Sequence, residues 1–238
     1  MNLLYCIPAL YNAGGMERVL AEKVNYLVNL PNYEITIVTT DQQGKSNRFQ
    51  LDDRINLVHL NIDFDAHYSD NLLSKYISHK RKLKVYKKSL IQLIEQQDID
   101  ICISLCGKEI EFLYNMPVKC RKLAEIHFAM NVRKQFLTAR YSGKLWSLLG
   151  DIRTYQLKQS VKGLDKLVVL TKADQKQWEV THQNIIQIPN PNPLNNKTVS
   201  ALDSKRVISV GKLDAQKGYD MLVETWALVL DKNPDWVL

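Results

Sequence analysis

The stretch Asn2-Leu3-Leu4-Tyr5-Cys6-Ile7, followed by Gly14-Gly15 and a helical pattern from Met16, decides the fold. Its first six residues form a short apolar run of the kind that is buried as a strand, and Pro8 ends it. From Met16 onward, apolar residues recur at helical spacing. Strand, glycine turn and helix together predict the first unit of a Rossmann-like sheet. The paired glycines allow close approach of a ligand to the backbone, and the start of the helix favours an anion.

The glycine pair does not identify a ligand by itself. Two glycines before a helix are more often plain turn residues. The Gly-x-Gly-x-x-Gly pattern is absent, which disfavours a nicotinamide-dependent dehydrogenase. Gly44-Lys45-Ser46 looks like the end of a phosphate loop, but Thr39 stands where that motif needs its first glycine. We therefore interpret Gly44-Lys45-Ser46 as part of a surface loop.

Apolar runs and helical patterns alternate along most of the chain. The predicted strands are residues 34–40, 55–60, 98–105, 122–128, 166–170 and 185–188, and the predicted helices are residues 71–97, 109–115, 144–161 and 172–182. Residues 130–143 fit either an inserted helix or a loop. This alternation predicts an α/β fold, a mostly parallel Rossmann-like sheet with helices on both faces and right-handed crossovers.

Ligands of such sheets bind beyond the carboxyl ends of the strands. Four segments are predicted to meet at that edge: Gly14-Gly15, Leu105-Cys106-Gly107, His127 and Thr171-Lys172. Their convergence on one edge is a stronger indication of a site than any one of them alone.

Three prolines within residues 189–193 end this alternation and mark a domain boundary. The predicted organisation is a first domain at residues 1–189, a linker at 190–204 and a new strand–helix unit at 205–238. Within that unit, strands are predicted at residues 206–210 and 235–238, with a helix ending at Leu230. One strand–helix unit cannot bury a core alone, so we expect the sequence to end inside a truncated second Rossmann-like domain.

The composition is that of a globular protein, with 45% apolar residues, 24% charged residues and a net charge of +7. Neither a membrane-spanning run nor a signal peptide is recognisable, so we expect the cytoplasm or the inner face of the membrane. The four cysteines lack Cys-x-x-Cys spacing, which favours buried thiols over a metal site or disulfides. No zinc-finger spacing or aromatic RNA-binding motif supports a nucleic acid partner.

One helical segment is strongly basic, and another has a clear apolar side. Between Lys75 and Lys88 the only charged residues are basic, namely Lys75, Lys80, Arg81, Lys82, Lys84, Lys87 and Lys88. A solvated helix face explains this run, and the alternative is a surface that contacts an anionic membrane or an acidic acceptor. The helix at 144–161 places its apolar residues on one side, namely Leu145, Leu148, Leu149, Ile152 and Tyr155.

Residues 210–222, Val-Gly-Lys-Leu-Asp-Ala-Gln-Lys-Gly-Tyr-Asp-Met-Leu, resemble the start of the second domain of retaining glycosyltransferases of family 4. Residues 14–19, Gly-Gly-Met-Glu-Arg-Val, look like the glycine loop of that family, and residues 188–191 resemble its interdomain segment. The resemblance implies the GT-B architecture, two Rossmann-like domains that face each other across a cleft. It further implies transfer of a sugar, with retention, from a nucleotide-diphosphate sugar to a glycan or lipid-linked acceptor in surface polysaccharide biosynthesis. No metal or other cofactor is implied.

The resemblance also implies roles for residues of the first domain. His127 is similar to the histidine that approaches the donor sugar, where it bonds a sugar hydroxyl and supports an oxocarbenium-like transition state. Glu125 lies two residues away on the same strand face and either orients His127 or forms an ion pair. Gly14 and Gly15 let their loop approach the diphosphate or the acceptor. Further substrate-binding candidates in the cleft are Glu17, Lys172 and Asn190.

The diphosphate is assigned by the resemblance to Gly211, Lys212 and Lys217. A nucleoside diphosphate leaves as an anion, and without a metal it needs cationic groups to stabilise it. The family usually has arginine at the position of Lys212, and lysine keeps the charge without the bidentate fork. The family's Glu-x7-Glu motif is absent from this sequence, so we expect the 238-residue chain to be inactive alone. The alternative is a non-catalytic module of the same fold that binds a sugar or an acceptor.

Overall fold

A computed structural model describes residues 1–64, 72–141, 143–192, 200–211, 213 and 217–238. The chain divides into two compact units, Met1–Pro191 and Asn192–Leu238. The first unit contains the whole parallel sheet.

Seven strands form one sheet in the order β3-β2-β1-β4-β5-β6-β7, and every neighbouring pair is parallel. The strands are β1 (Asn2–Ile7), β2 (Glu34–Thr39), β3 (Asn56–His59), β4 (Ile101–Ser104), β5 (Arg121–Ile126), β6 (Lys166–Val169) and β7 (Ile185–Gln187). The helices of the first unit are α1 (Gly15–Leu27), α2 (Leu72–Gln96), α3 (Val132–Arg140), α4 (Lys144–Lys162) and α5 (Lys172–Glu179). The predicted α/β class with a parallel, Rossmann-like sheet is confirmed.

The strand order explains where the helices lie. The chain runs from β1 to β3 in one direction and from β3 to β7 in the other, so right-handed crossovers put α1 on one face and the later helices on the opposite face. On the α1 face, Leu20 and Val24 pack against Tyr5 and Ile37. On the opposite face, α2, α4 and α5 contribute a second core through a further set of buried side chains: Leu83, Tyr86, Leu90, Leu157, Val161 and Trp178. Helices therefore cover both faces, as predicted.

The α1 face is covered unevenly. Among the described residues, α1 is the one helix on that face, and it packs over β1, β2 and β4. The same face of β6 and β7 keeps partly exposed apolar side chains, among them Val168, Ile186 and Ile188. This leaves an uncovered, largely apolar surface beside α1, near the carboxyl ends of β5 and β6.

Two predicted helical segments differ in detail from the structure. Residues 109–115 form two short 3-10 helices, Lys108–Glu111 and Leu113–Asn115, instead of one α-helix. Pro117 follows within two residues and disfavours the α conformation in the residue before it, so the segment does not continue as a regular α-helix. Residues 130–143, for which the sequence allowed either an inserted helix or a loop, contain α3.

The second unit contains one helix, α6 (Tyr219–Leu230), which begins after Gly218 in the left-handed conformation with φ +64°. The strands predicted at 206–210 and 235–238 are not formed, and a single parallel bridge joins Arg206 to Val237 instead. Two backbone hydrogen bonds hold this bridge, which is too few to define a ladder. Most of the predicted linker, residues 193–199, lies outside the described residues.

Candidate active site

The two glycines of the loop after β1 differ in the space beside them. Gly14 is the N-cap of α1, and a Cβ atom placed on it would lie 2.1 Å from Glu17 Oε2. A Cβ atom on Gly15 would have no neighbour within 4 Å. Glu17 is buried in the first turn of α1, so its carboxylate occupies the space that a side chain at position 14 would need.

The loop after β2 is fastened to the loop after β1. The backbone N–H of Leu10 donates to Gln42 Oε1 at 2.8 Å, and the N–H of Asp41 donates to the Pro8 carbonyl at 2.8 Å. Lys45 is exposed, as the surface-loop interpretation expects, and its ammonium lies 4.2 Å from the centroid of the Tyr11 ring. The two loops therefore form one continuous rim at the carboxyl ends of β1 and β2.

Lys23, Glu125 and His127 form a charged cluster beside α1. Glu125 is on β5, His127 follows that strand by one residue, and Lys23 reaches Glu125 from the third turn of α1. The Lys23 ammonium donates to Glu125 Oε2, and His127 Nε2 lies 3.5 Å from the same oxygen. Glu125 therefore makes both contacts that were alternatives at the sequence level, an ion pair and a contact with His127.

The contacts of Glu125 keep it ionised. Burial alone would raise the pKa of this carboxyl, but the contacts with His127 and Lys23 outweigh burial and lower the pKa below its ordinary value. A carboxylate at Glu125 favours the His127 tautomer with the proton on Nε2. In that tautomer Nδ1 is a hydrogen-bond acceptor, and it has no partner among the described residues.

The cluster lines a pocket of about 460 Å³ within the first unit. Its apolar walls come from α1, from β6 and from the segments that follow β6 and β7, namely Val19, Val168, Leu170, Ile188 and Pro189. The polar and charged side chains that line it include Glu22, Lys23, Glu125, His127 and Asn190. An apolar pocket of this size with a few placed polar groups is typical of a small-molecule site.

The structure thus brings three predicted residues, Glu125, His127 and Asn190, into one pocket. Lys172 is instead exposed in the first turn of α5 and does not line that pocket. Thr171 is the N-cap of α5, as predicted, and its Oγ1 accepts a hydrogen bond from the N–H of Asp174 at 3.0 Å.

A second acidic group lies at the end of β4 and was missed in the sequence. Glu109 is 1% exposed, and its Oε1 accepts from Ser104 Oγ at 2.5 Å and from the N–H of Gly107 at 2.9 Å. The Tyr86 hydroxyl donates to its other oxygen at 3.3 Å. Burial raises the pKa of Glu109, and these hydrogen bonds oppose the rise. Glu109 therefore fixes the turn around Cys106, whose φ is +59°.

The basic run Lys75–Lys88 lies on α2, and its members differ in role. The ammonium of Lys82 donates to the Asp63 carbonyl, and Lys87 donates to Asn115 Oδ1 at 3.0 Å. The exposed members of the run are Lys75, Lys80, Arg81, Lys84 and Lys88. The basic face that meets solvent is therefore smaller than the sequence run.

The predicted diphosphate residues belong to the second unit. Lys212 lies outside the described residues. Lys217 occupies the turn directly before α6, and a Cβ atom on Gly211 would lie 3.1 Å from the Tyr219 hydroxyl.

In the described parts of the chain, no group of three or more His, Cys, Asp or Glu side chains is placed to hold a metal ion. In those parts, too, no helix is long and apolar enough to cross a membrane.

Lys23 and Glu109 were missed for different reasons. Lys23 is 102 residues from Glu125 in the sequence, and nothing local to α1 indicates that partner. Glu109 carried a usable signal, because it follows a glycine at the predicted carboxyl end of a strand, where an acidic side chain can accept backbone hydrogen bonds.

Comparison with known proteins gives one clear relative in sequence. No protein-family model matches the chain. It is 30% identical over 234 residues to a protein of Haemophilus influenzae described as an uncharacterized glycosyltransferase. The match covers 95% of this chain and 58% of the relative, so the chain spans little more than half the length of that protein.

Solved structures resemble the chain in fold. The sucrose-phosphate synthase of Thermosynechococcus elongatus matches with a TM-score of 0.56 over 79% of this chain and 47% of that one, at 9% identity. Phytolacca americana UGT2, complexed with UDP-2-fluoro-glucose and pterostilbene, matches with a TM-score of 0.51 over 82% of this chain and 56% of that one, at 14% identity. The chain is thus similar in sequence to a glycosyltransferase and similar in fold to a sucrose-phosphate synthase and to UGT2.

Proposed function

We propose that the chain is the acceptor-side part of a glycosyltransferase that moves a sugar from a nucleotide-diphosphate sugar to a glycan or lipid-linked acceptor. The observation that carries this proposal is the Lys23–Glu125–His127 cluster in a pocket at the carboxyl edge of the sheet. The glycosyltransferase relative and the similar folds support it. A UDP-sugar is the first donor to test, because UGT2 was solved with one.

His127 is the group that we assign to the donor sugar. His127 lines the pocket, and its Nδ1 is buried without a partner among the described residues, so the ring has to move on donor binding for Nδ1 to accept from a sugar hydroxyl. Glu125 holds the ring through Nε2, and its negative charge stabilises positive charge that develops near His127 in an oxocarbenium-like transition state. Lys23 keeps Glu125 ionised and in place. Glu125 and Lys23 are therefore positioning residues for His127.

The glycine loop is assigned to the acceptor. The Glu17 carboxylate lies against Gly14, so a diphosphate at this point would meet a like charge. Carboxylate oxygens accept hydrogen bonds from hydroxyl groups, which suits a sugar acceptor. Asn190 adds an amide at the pocket, and the open backbone at Gly15 leaves room for the acceptor.

The diphosphate is assigned, on the resemblance to family 4, to Gly211, Lys212 and Lys217 of the second unit. Two lysines neutralise a leaving diphosphate without a metal, which is why no metal is proposed. Retention of the anomeric configuration and a role in surface polysaccharide biosynthesis on the cytoplasmic side rest on the same resemblance. The absent Glu-x7-Glu motif leads us to propose that the chain transfers little or no sugar alone.

The test is an assay of nucleoside diphosphate release from UDP- and GDP-sugars. The purified chain is assayed alone and after addition of a separately made C-terminal half of the Haemophilus influenzae relative. We expect release only in the complemented sample, and only with acceptor glycans or lipids present. Acceptor binding without release in either sample would favour the non-catalytic binding module instead.

A further inference from the structure

The outer side of α4 carries a stripe of exposed apolar side chains. Leu145 is 65% exposed, Leu148 58% and Tyr155 62%, and Leu149 and Ile152 complete the stripe at helical spacing. Among the described residues no element packs against this side. The opposite side of α4 is buried against the core through Leu157 and Val161. An apolar stripe normally faces a core, so one that faces solvent marks an interaction surface.

Helix α3 stiffens this surface. It packs so closely on α4 that a Cβ atom on Gly150 would lie 2.8 Å from Lys134 Cα. An ion pair of 2.8 Å between Lys134 and Asp151 joins the two helices. At the turn between them Tyr141 stacks on Trp146, with ring centroids 4.2 Å apart. Aromatic side chains of this kind favour the interface between water and lipid.

The positive charge of the chain is concentrated in α2, α3 and α4. Residues 132–162, which form α3 and α4, carry seven basic residues and one acidic residue, and residues 72–96 of α2 carry the same numbers. Each stretch thus has a formal charge of +6. Because the whole chain has a net charge of +7, the rest of the chain is net negative.

The outward sides of α2 and α4 face the same way. The buried sides of α2 and α4 belong to one core cluster on one face of the sheet, so their solvent-facing sides both point away from that face. The outward side of α2 adds exposed apolar residues, Tyr76, Ile77 and Val85, to its exposed Arg81 and Lys84. Apolar side chains among basic ones are the pattern of a helix that lies in the surface of an anionic membrane.

We propose that α4, together with α3 and the outward side of α2, docks the protein on an anionic lipid bilayer. The α4 stripe enters the region between headgroups and acyl chains, and the basic residues of both helices contact the lipid phosphates. Self-association through the same face is disfavoured, because two copies would bring together two surfaces of like charge. This inference does not depend on the proposed sugar transfer.

The test is flotation of the purified chain with two kinds of vesicle, one of phosphatidylcholine alone and one of equal parts phosphatidylcholine and phosphatidylglycerol. We expect binding to the mixed vesicles that weakens as salt is raised. The double change Leu148→Ser with Ile152→Ser is expected to weaken binding at least about tenfold. The control is Val180→Ser, which removes an apolar side chain that is 90% exposed directly after α5 and leaves binding unchanged.

The charge contribution is tested separately with Arg81→Glu and Lys84→Glu together. A basic residue near an anionic bilayer contributes about a fivefold increase in binding, so this pair is expected to cost roughly 25-fold or more. All these positions are exposed, so circular dichroism spectra are expected to be unchanged.

Three results would overturn the proposal. The first is equal binding of the Leu148/Ile152 variant and the unmodified chain. The second is equal binding of the unmodified chain to both kinds of vesicle, or no binding to either. The third is dimerisation in sedimentation velocity that the Leu148/Ile152 variant abolishes, with no vesicle binding, which would assign the face to a second copy of the chain.

Discussion

Glu109 offers the sharpest test of how the carboxyl edge of the sheet is held in shape. Replacing it with alanine removes the acceptor of three donors, the hydroxyls of Ser104 and Tyr86 and the N–H of Gly107. Ser104 and Tyr86 are fully buried, so water cannot replace the lost acceptor. At about 1 to 2 kcal/mol for each of these two unsatisfied buried donors, Glu109→Ala should lower the free energy of unfolding by about 2 to 4 kcal/mol, with a smaller contribution from the half-buried N–H of Gly107.

Glu109→Gln keeps the hydrogen bonds and removes only the charge. The amide oxygen can accept from Ser104 and Gly107, and the amide nitrogen can donate to the Tyr86 oxygen. The free energy of unfolding at neutral pH should therefore stay within about 1 kcal/mol of the unmodified chain or exceed it. Glutamine at this position also provides the control for the pH dependence.

The raised pKa of Glu109 fixes the direction of that pH dependence. Between the ordinary pKa of a glutamate and the raised pKa in the folded state, the folded chain holds a proton that the unfolded chain has lost. In this window the stability of the unmodified chain should fall as pH rises, by at most about 1.4 kcal/mol per pH unit, relative to Glu109→Gln. Urea unfolding followed by circular dichroism across that range measures the difference. A difference that does not change with pH, or a glutamine variant as unstable as the alanine variant, would refute the reasoning.

Two further predictions concern the candidate site. Gly14→Ala should displace the Glu17 carboxylate and lower sugar transfer in the complemented chain without changing the unfolding midpoint, and a rate equal to that of the unmodified chain would contradict the role of Glu17. Gly15→Ala meets no atom of the chain, so it should also leave the unfolding midpoint unchanged but raise the KM for the acceptor, for which the open backbone leaves room. Because the pKa of Glu125 is lowered in the fold, its contacts should contribute about 1 to 3 kcal/mol above pH ~4.3, and this contribution is lost as pH falls through the lowered pKa. Urea unfolding of Glu125→Gln against the unmodified chain should therefore show a stability difference at neutral pH that vanishes in acid, and a difference that persists there would count against the ion pair.

The sheet could be predicted from the sequence because its strands are local apolar runs. Asn2–Ile7 and the start of β2 at Glu34 were predicted at the observed residues. The same reasoning placed strands at 206–210 and 235–238, where one bridge is found. A strand exists only through its neighbours, and the sequence of a segment does not show whether enough neighbours are present.

The candidate site was predictable only in part. Glu125 and His127 are two residues apart, so the period of a strand already places them on one face. Their partner Lys23 lies on α1, 102 residues before Glu125 in the sequence, and only the folded chain brings the two side chains together. The α4 stripe shows a similar limit, since periodicity identified its one-sided pattern of Leu148 and Ile152 but not that this side faces solvent.

The measurement that tests the central claim most directly is the kcat of sugar transfer by the complemented chain after His127→Ala. If His127 bonds the donor sugar in the transition state, kcat should fall by at least about 100-fold. The matched control is His79→Ala on α2, a histidine paired with Glu111 outside the pocket, which should change kcat by less than about twofold. A His127→Ala variant that retains kcat within the range of the His79→Ala control would contradict the assignment of this pocket to sugar transfer.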